Sequence, residues 1–176
     1  PLLERLIAAA VHAIPAAEKG SVALLTDAEH LQVRALYGYR DATVQGFTYP
    51  ITWGYAGRAA RASSPLLIAD VQADAPLQAD AARVASAEVQ ALRSAIVAPL
   101  LIGENVIGVL SLESAQPNAF DEHDLRVLTN IAATAALLIE RRRLFEQAQR
   151  RAEKIAVVNA LGRALAATLD VPTLCR

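Results

Sequence analysis

Apolar and polar positions along the chain follow two different spacings. From Leu2 to Ile14, and again from Asp121 to about Arg151, apolar residues recur every three to four positions, as in an amphipathic helix. Between these stretches lie two pairs of short apolar segments, each pair joined by a polar turn: GSVALLT with LQVRALYGY, and SAIVAPLLI with VIGVLSLES. Each pair predicts an antiparallel hairpin.

The middle of the chain, residues 40–93, is less regular. The pattern predicts a short helix over AGRAARA, a short strand over LLIA and an alanine-rich helix within VQADAPLQADAARVASAEVQALRS. We therefore predict an α+β fold: an antiparallel five- to six-stranded sheet, helices packed on one face, and a variable helix and loop cover on the other. A ligand pocket is commonly found under such a cover.

Composition narrows the classes of function. A formal net charge of -1 provides no overall basic field, which argues against nucleic acid as the main partner. No apolar run approaches the roughly 18 residues of a membrane span, so we expect no membrane association. The single cysteine, Cys175, excludes an internal disulfide framework and a CxxC redox centre, as expected of a cytoplasmic protein. The chain has no methionine, even at position 1, and we expect it to be a piece of a longer protein.

Residues 145–176 continue the helical pattern. An apolar seam with alternating steps of four and three residues passes through Leu144, Ala148, Arg151, Ile155, Val158, Gly162, Leu165 and Leu169. This is the spacing of a coiled coil, although Arg151 and Gly162 interrupt it. We predict a coiled-coil-like linker helix over 145–176, or alternatively the start of a second, truncated copy of the same domain at VNALGRALAATLDVPTL.

Four segments, taken together, resemble a GAF domain, the small-molecule sensor module of signalling proteins. They are GYAGRAA after an apolar Pro-Ile, LLIADVQADAP, RSAIVAPLLIGENVIGVLSLES and NAFDEHDLRVLTNIAATAALLIE. They occur in the order and at the spacing of that family, and the resemblance places a GAF domain over residues 1–144. It implies a GAF/PAS-like fold, followed by a long C-terminal signalling helix.

The resemblance also implies a ligand site under the middle segment. Members of the family bind cyclic nucleotides, linear tetrapyrroles, haem, 2-oxo acids or nitrate there. Covalent bilin attachment needs a cysteine near the pocket and the free methionine sulfoxide reductases need several, so the lone Cys175 argues against both. The phosphodiesterase members carry NKFDE, whereas residues 118–122 here read NAFDE and lack the lysine. The sequence therefore identifies neither the ligand nor a cofactor.

Aromatic residues near Gly54 are the first candidates for ligand binding. Trp53 and Tyr55 flank this glycine at the expected mouth of the pocket, and we expect Tyr37 and Tyr49 nearby. They would form an aromatic wall for a flat or apolar ligand, or alternatively fill a core that is short of aromatic residues.

Polar candidates lie at the strand ends. Asp70 follows the third predicted strand, and Arg93 with Ser94 precedes the fourth. An Arg-Ser pair at a sheet edge could hold a carboxylate or a phosphate. The alternative for all three residues is a structural bond or a surface position.

The acidic cluster at residues 121–124 (DEHD) has two interpretations. It could be a metal site containing His123, or the capping box of the long helix, with Asp121 as N-cap and Asp124 three residues later. We favour the cap, and we interpret His12, His30 and His123 as surface residues.

These observations predict a non-catalytic sensory domain of a multidomain bacterial signal-transduction protein. We expect it to bind an unidentified small molecule and to form a homodimer through its N- and C-terminal helices. The signal would pass to an output domain on the same chain, such as a histidine kinase or diguanylate cyclase. The alternatives are a degenerate GAF domain that only dimerises, and a small metal-dependent enzyme that uses residues 121–124.

Overall fold

An antiparallel sheet forms the centre of the fold. The computed structural model describes the backbone of residues 2–169 and the side chains of residues 2–161, and within that range the sheet has six strands. They are β1 Lys19–Leu25, β2 His30–Tyr37, β3 Thr48–Pro50, β4 Leu66–Ile68, β5 Ser94–Ile102 and β6 Asn105–Ser114, in the spatial order β3-β2-β1-β6-β5-β4. Both predicted hairpins are present, as β1–β2 and β5–β6, and the predicted α+β fold is confirmed.

Helices flank the sheet in the order that the sequence pattern predicts. They are α1 Leu2–Ala13, α2 Gly54–Ala62, α3 Ala75–Ala82, α4 Ala87–Gln90 and α5 Glu122–Leu169. The alanine-rich segment, predicted as one helix, consists of α3 and α4, preceded by a 3-10 turn at Val71–Ala73. The side chain of Asp74 caps α3 by accepting the N–H of Leu77, and Pro76 lies in its first turn, where proline is tolerated.

The two faces of the sheet carry different elements. A Cβ at Gly20 of β1 would lie 2.6 Å from Cγ2 of Ile7, so α1 packs closely against this face. Successive strand residues point to opposite faces, and the next residue, Ser21, lines a cavity beneath α2 and α3. The sheet therefore separates α1 from the cavity.

The chain divides into two compact units, residues 1–137 and 138–176. In the first unit the beginning of α5 is anchored by its buried residues Leu125, Leu128, Ala132, Ala135 and Ala136. The second unit exposes apolar side chains of the predicted seam, whereas Gly162, Leu165 and Leu169 lie outside the described side chains. The domain boundary at residue 144 stays a prediction.

Candidate ligand-binding site

A cavity of about 110 Å³ lies between the sheet and its cover. The sheet contributes Ser21, Val33, Leu36, Ser111 and Glu113. The remaining lining residues belong to residues 39–92, which form the cover and include the edge strand β3 with Tyr49: Tyr39, Val44, Phe47, Tyr49, Trp53, Gly54, Tyr55, Ala56, Val71, Leu77, Asp80, Ala81, Val84, Val89 and Leu92. The cavity thus lies where the sequence pattern places a ligand pocket.

The carboxyl group of Glu113, in the central strand β6, forms the polar floor of this cavity. Glu113 is 1% exposed, and its Oε1 accepts hydrogen bonds from the hydroxyls of Ser21 (2.9 Å) and Tyr55 (3.4 Å). Ser111 lies on the same face of β6 and is the register partner of Ser21 in the neighbouring strand β1. The second oxygen, Oε2, has no hydrogen-bond partner among the described residues. The floor therefore presents a carboxyl group with one oxygen free to accept a donor.

Burial raises the pKa of Glu113 to about 7, because the interior disfavours the charged form. The nearby hydroxyls of Ser21, Tyr39 and Tyr55, together with the charge of Lys19, lower the pKa and partly offset this rise. Lys19 does not bind the carboxyl: its Nζ pairs with Glu88 and donates to the carbonyl oxygen of Gly38 at 3.2 Å. Near neutral pH, Glu113 is therefore poised between its charged and neutral forms.

Aromatic rings form much of the wall. The rings of Phe47 and Tyr49 are stacked with centroids 5.9 Å apart, and the guanidinium of Arg83 lies 4.9 Å from the centre of the Trp53 ring. Burial raises the pKa values of Tyr39, Tyr49 and Tyr55, so these phenols stay protonated at neutral pH. They can donate hydrogen bonds to the floor or to a ligand.

Two polar contacts fasten the cover helices α2 and α3 to each other. Gly54 begins α2 at φ +65°, a conformation that favours glycine, and its N–H donates to Oδ2 of Asp80 at 2.8 Å. Arg58 donates to the cap residue Asp74 at 2.9 Å. Gly57 permits the close approach of α2, because a Cβ there would collide with the carbonyl oxygen of Ile51. These contacts explain the glycine spacing of GYAGRAA.

Comparison with known proteins agrees with this architecture. The family model of the GAF domain matches residues 2–140. The chain belongs to the GAF domain family. No curated protein matches it in sequence.

Solved structures with this fold include domains from several bacteria and an archaeal enzyme. The GAF domain of an Acinetobacter phosphoenolpyruvate-protein phosphotransferase superimposes with a TM-score of 0.69 at 16% identity, covering 82% of this chain and 84% of that one. The GAF-B domain of DevS from Mycobacterium smegmatis gives 0.62 at 23%, covering 85% and 96%. A type II free methionine-R-sulfoxide reductase from Thermoplasma acidophilum gives 0.65 at 20%, covering 80% and 93%. At these identities the likeness establishes the fold.

The predicted site residues of the GAF domain fall into two groups. Trp53 and Tyr55 line the cavity, and so does Tyr49. Tyr37, at the end of β2, is not a lining residue, and its ring packs edge-on against His12, with centroids 6.1 Å apart. We therefore base the functional proposal on Trp53 and Tyr55, and a role of Tyr37 in ligand binding stays a prediction.

The polar candidates are bonded to other groups outside the cavity lining. Arg93 binds Asp70 through two hydrogen bonds, Nε to Oδ1 at 2.9 Å and Nη2 to Oδ2 at 2.6 Å, and these bonds lower the pKa of Asp70 to about 2. Ser94 donates to the carbonyl oxygen of Gln116 at 2.7 Å. Ligand binding by these three residues stays a prediction.

Sequence reasoning missed Glu113, the penultimate residue of the predicted strand VIGVLSLES. A signal was available, since Ser111 and Glu113 occupy alternate positions of a mostly apolar strand and therefore share one face. Polar residues repeated on a buried face indicate a polar floor. Ser21, at the register position opposite Ser111, completes that pattern.

The acidic cluster at 121–124 forms a helix cap. Oδ1 of Asp121 accepts the backbone N–H of His123 at 2.7 Å and of Asp124 at 3.0 Å, and Asp124 accepts the N–H of Asp121 at 3.1 Å. This reciprocal arrangement is the predicted capping box. Within the described residues no group of three His, Cys, Asp or Glu side chains is arranged to hold a metal ion.

Proposed function

We propose that this GAF domain is a non-catalytic sensor that binds a small molecule in the cavity above Glu113. The observation that carries the proposal is the cavity itself, which has apolar and aromatic walls and a few convergent polar groups. This combination is typical of small-molecule sites. The sensor acts in the cytoplasm, within a bacterial signal-transduction protein, and passes its signal to an output domain on the same chain.

Two observations weigh against the alternatives. A domain that only dimerises would be expected to fill its pocket with side chains, whereas a cavity of about 110 Å³ is present here. A metal-dependent enzyme at residues 121–124 would need free carboxylates, whereas Asp121 and Asp124 are used in capping α5. In the described part of the chain, no helix is long and apolar enough to cross a bilayer.

The experiment compares two alanine-to-leucine variants of α3. Ala81 lines the cavity, so Ala81→Leu fills part of it, whereas Ala79 is exposed on the same helix and Ala79→Leu is the matched control. Thermal melting is measured with cyclic nucleotides, 2-oxo acids, nitrate and small amines. A ligand at 100 times its Kd stabilises by about 2.7 kcal/mol, which raises Tm by roughly 5–10 °C in a chain of this size.

We expect at least one compound to stabilise the wild type and Ala79→Leu but not Ala81→Leu. If no compound stabilises the wild type, and native mass spectrometry detects no co-purified small molecule, the proposal fails in favour of the alternative that only dimerises. If Ala81→Leu responds as the wild type does, the ligand binds outside the cavity.

The proposal also includes dimerisation, and residues of the second unit support it. Ile155 and Val158 of the predicted seam are 61% and 66% exposed, and Leu144, an earlier residue of the same seam, is 52% exposed. Exposed apolar residues at this spacing are typical of a helix that pairs with a second helix. We propose that two copies pair through this part of α5, and α1 is the other predicted dimer element.

A further inference from the structure

We propose that the ligand of this cavity carries a cationic nitrogen, an ammonium or amidinium group on a small apolar body, and that the free oxygen of Glu113 binds it. This inference deepens the proposed sensor function and rests on it. It assigns the charge and the approximate size of the ligand.

The first argument is the unused hydrogen-bonding capacity of Glu113. Its side chain is almost fully buried, Oε1 accepts from Ser21 and Tyr55, and Oε2 has no partner in the described part of the chain. A buried carboxylate oxygen without a donor is costly, and such groups are normally paired. Because Glu113 lines the cavity, a ligand N–H can supply the missing donor.

The second argument is the charge around the floor. From β1, Ser21 donates to Glu113, and Lys19 lies further off, paired with Glu88 of α4 and 4.6 Å from the centre of the Tyr39 ring. Tyr39 from the segment after β2, Tyr49 from β3 and Tyr55 from α2 face Glu113, and all three are neutral at neutral pH. No described cation therefore pairs with the carboxylate.

The lining contains a second carboxyl group, Asp80, which unlike Glu113 has partners. Asp80 accepts the N–H of Gly54 and lies 3.6 Å from Nε of Arg83, so it is paired on the cover side. An anionic ligand near the floor would be repelled by Glu113, and no described arginine or lysine lines the cavity to offset that repulsion. The charges therefore favour a cation over a carboxylate, nitrate or phosphate.

The third argument is the nature of the walls. Tyr39, Tyr49, Trp53 and Tyr55 line the same cavity as Glu113. Aromatic faces attract ammonium groups and also bury apolar surface. Because an apolar cavity of about 150 Å³ accommodates benzene, a cavity of about 110 Å³ limits the apolar body of the ligand to at most about one ring or a short branched chain.

The single tryptophan provides a direct readout. Trp53 is the only tryptophan of the chain and lines the cavity, so its fluorescence reports binding there. The probes are benzylamine, benzyl alcohol and benzoate, which share a ring and differ in charge. Each is titrated into the full chain at pH 6 and pH 8, with Glu113→Gln and Ala81→Leu as variants.

We expect benzylamine to bind the wild type more tightly than either other probe. Because the carboxyl group of Glu113, with its pKa near 7, must lose its proton before it can pair with an ammonium group, the apparent affinity should be about tenfold weaker at pH 6 than at pH 8. Glu113→Gln keeps the shape but removes the charge, and we expect at least about tenfold weaker binding with the pH dependence lost. The pH dependence of the wild type tests the proposal even if Glu113→Gln does not fold.

Three results would overturn the proposal. One is tighter binding of benzoate or benzyl alcohol, which would indicate an anionic or neutral ligand. Another is equal binding of benzylamine to the wild type and to folded Glu113→Gln. The third is no response to any of the three probes. If compounds of another class still stabilise the wild type but not Ala81→Leu, the sensor function stands and only the ligand class is wrong.

Discussion

At the scale of single residues, the burial of Glu113 couples folding to protonation. The sheet buries this carboxyl near the end of β6, where Ser21 and Tyr55 satisfy only one of its oxygens. Its pKa is raised from 4.5 to about 7, so the native state holds a proton that the unfolded chain has already released at intermediate pH. Stability is therefore expected to fall as the pH rises through this window.

The size of this effect can be tested with Glu113→Gln. The proton bound by Glu113 contributes about 3 kcal/mol to the free energy of unfolding. This contribution is fully present below about pH 4.5 and is lost progressively until about pH 7. We expect Glu113→Gln to be more stable than the wild type at pH 8, by up to that amount, and similar to it at pH 4.5. Urea denaturation at the two pH values measures the difference.

Glu104→Gln is the matched control, because Glu104 is exposed in the turn between β5 and β6. It should leave the pH dependence of the wild type unchanged. Identical pH profiles for the wild type and Glu113→Gln would mean that Glu113 titrates alike in the folded and unfolded chains.

Residue types predicted the cavity walls better than its floor. Trp53 and Tyr55 were found because aromatic residues next to a glycine at the start of a predicted helix are conspicuous in sequence. Glu113 was missed because a charged residue near a strand end is usually solvated, and only the register of β1 and β6 places it opposite Lys19 and inside the sheet. Register depends on pairing across 94 positions of chain between Lys19 and Glu113, which local pattern does not encode.

At the scale of elements, helix boundaries follow from local chemistry. The capping box of α5 was predicted because Asp121 and Asp124 have the required spacing, and both make the expected bonds. In the cover, Asp74 and Pro76 start α3, and a second helix, α4, starts after Ser86, whereas helix propensity alone would have joined this alanine-rich stretch into one helix. β3 was not predicted, because only three residues pair with His30–Gln32.

Substitutions of the cap residue Asp121 distinguish a structural role of the acidic cluster from a metal-binding role. Asp121→Ala removes both backbone bonds of the cap and should lower the free energy of unfolding by about 1 kcal/mol, whereas Asp121→Asn should keep most of it. Urea denaturation of the three proteins, with and without EDTA, measures these differences. The metal site would be favoured if EDTA lowers the stability of the wild type. It would also be favoured if Asp121→Asn by itself lowers the stability.

At the scale of the whole molecule, hydrophobic pattern was sufficient to predict the α+β class, both hairpins and the side of the sheet on which a pocket lies. It was sufficient because half-buried strands and amphipathic helices have distinct periods. The arrangement of the cover was not predictable, since α3 and α4 are short and are positioned by long-range contacts such as Gly54 to Asp80.

The proposed dimer makes a prediction at the same scale. The double substitution Ile155→Glu with Val158→Glu places charges on the exposed seam, and we expect it to weaken self-association about 100-fold or more. Sedimentation velocity of the full chain measures this change. Ala156→Glu, one residue away and off the seam, is the control and should associate like the wild type. A wild type that stays monomeric at the highest soluble concentration would contradict the prediction.

The cavity is made by two separate parts of the chain, and this has a consequence for how new specificities arise. The carboxyl group of Glu113 belongs to β6, in the framework of the domain, whereas most of the cavity walls belong to the cover, residues 39–92. A single change at position 113 could therefore alter the charge that the domain prefers without remodelling the walls, and changes in the cover could alter ligand size while keeping that preference. In evolution, or in the engineering of biosensors, the preferred charge of the ligand and its preferred shape can therefore change almost independently in this fold.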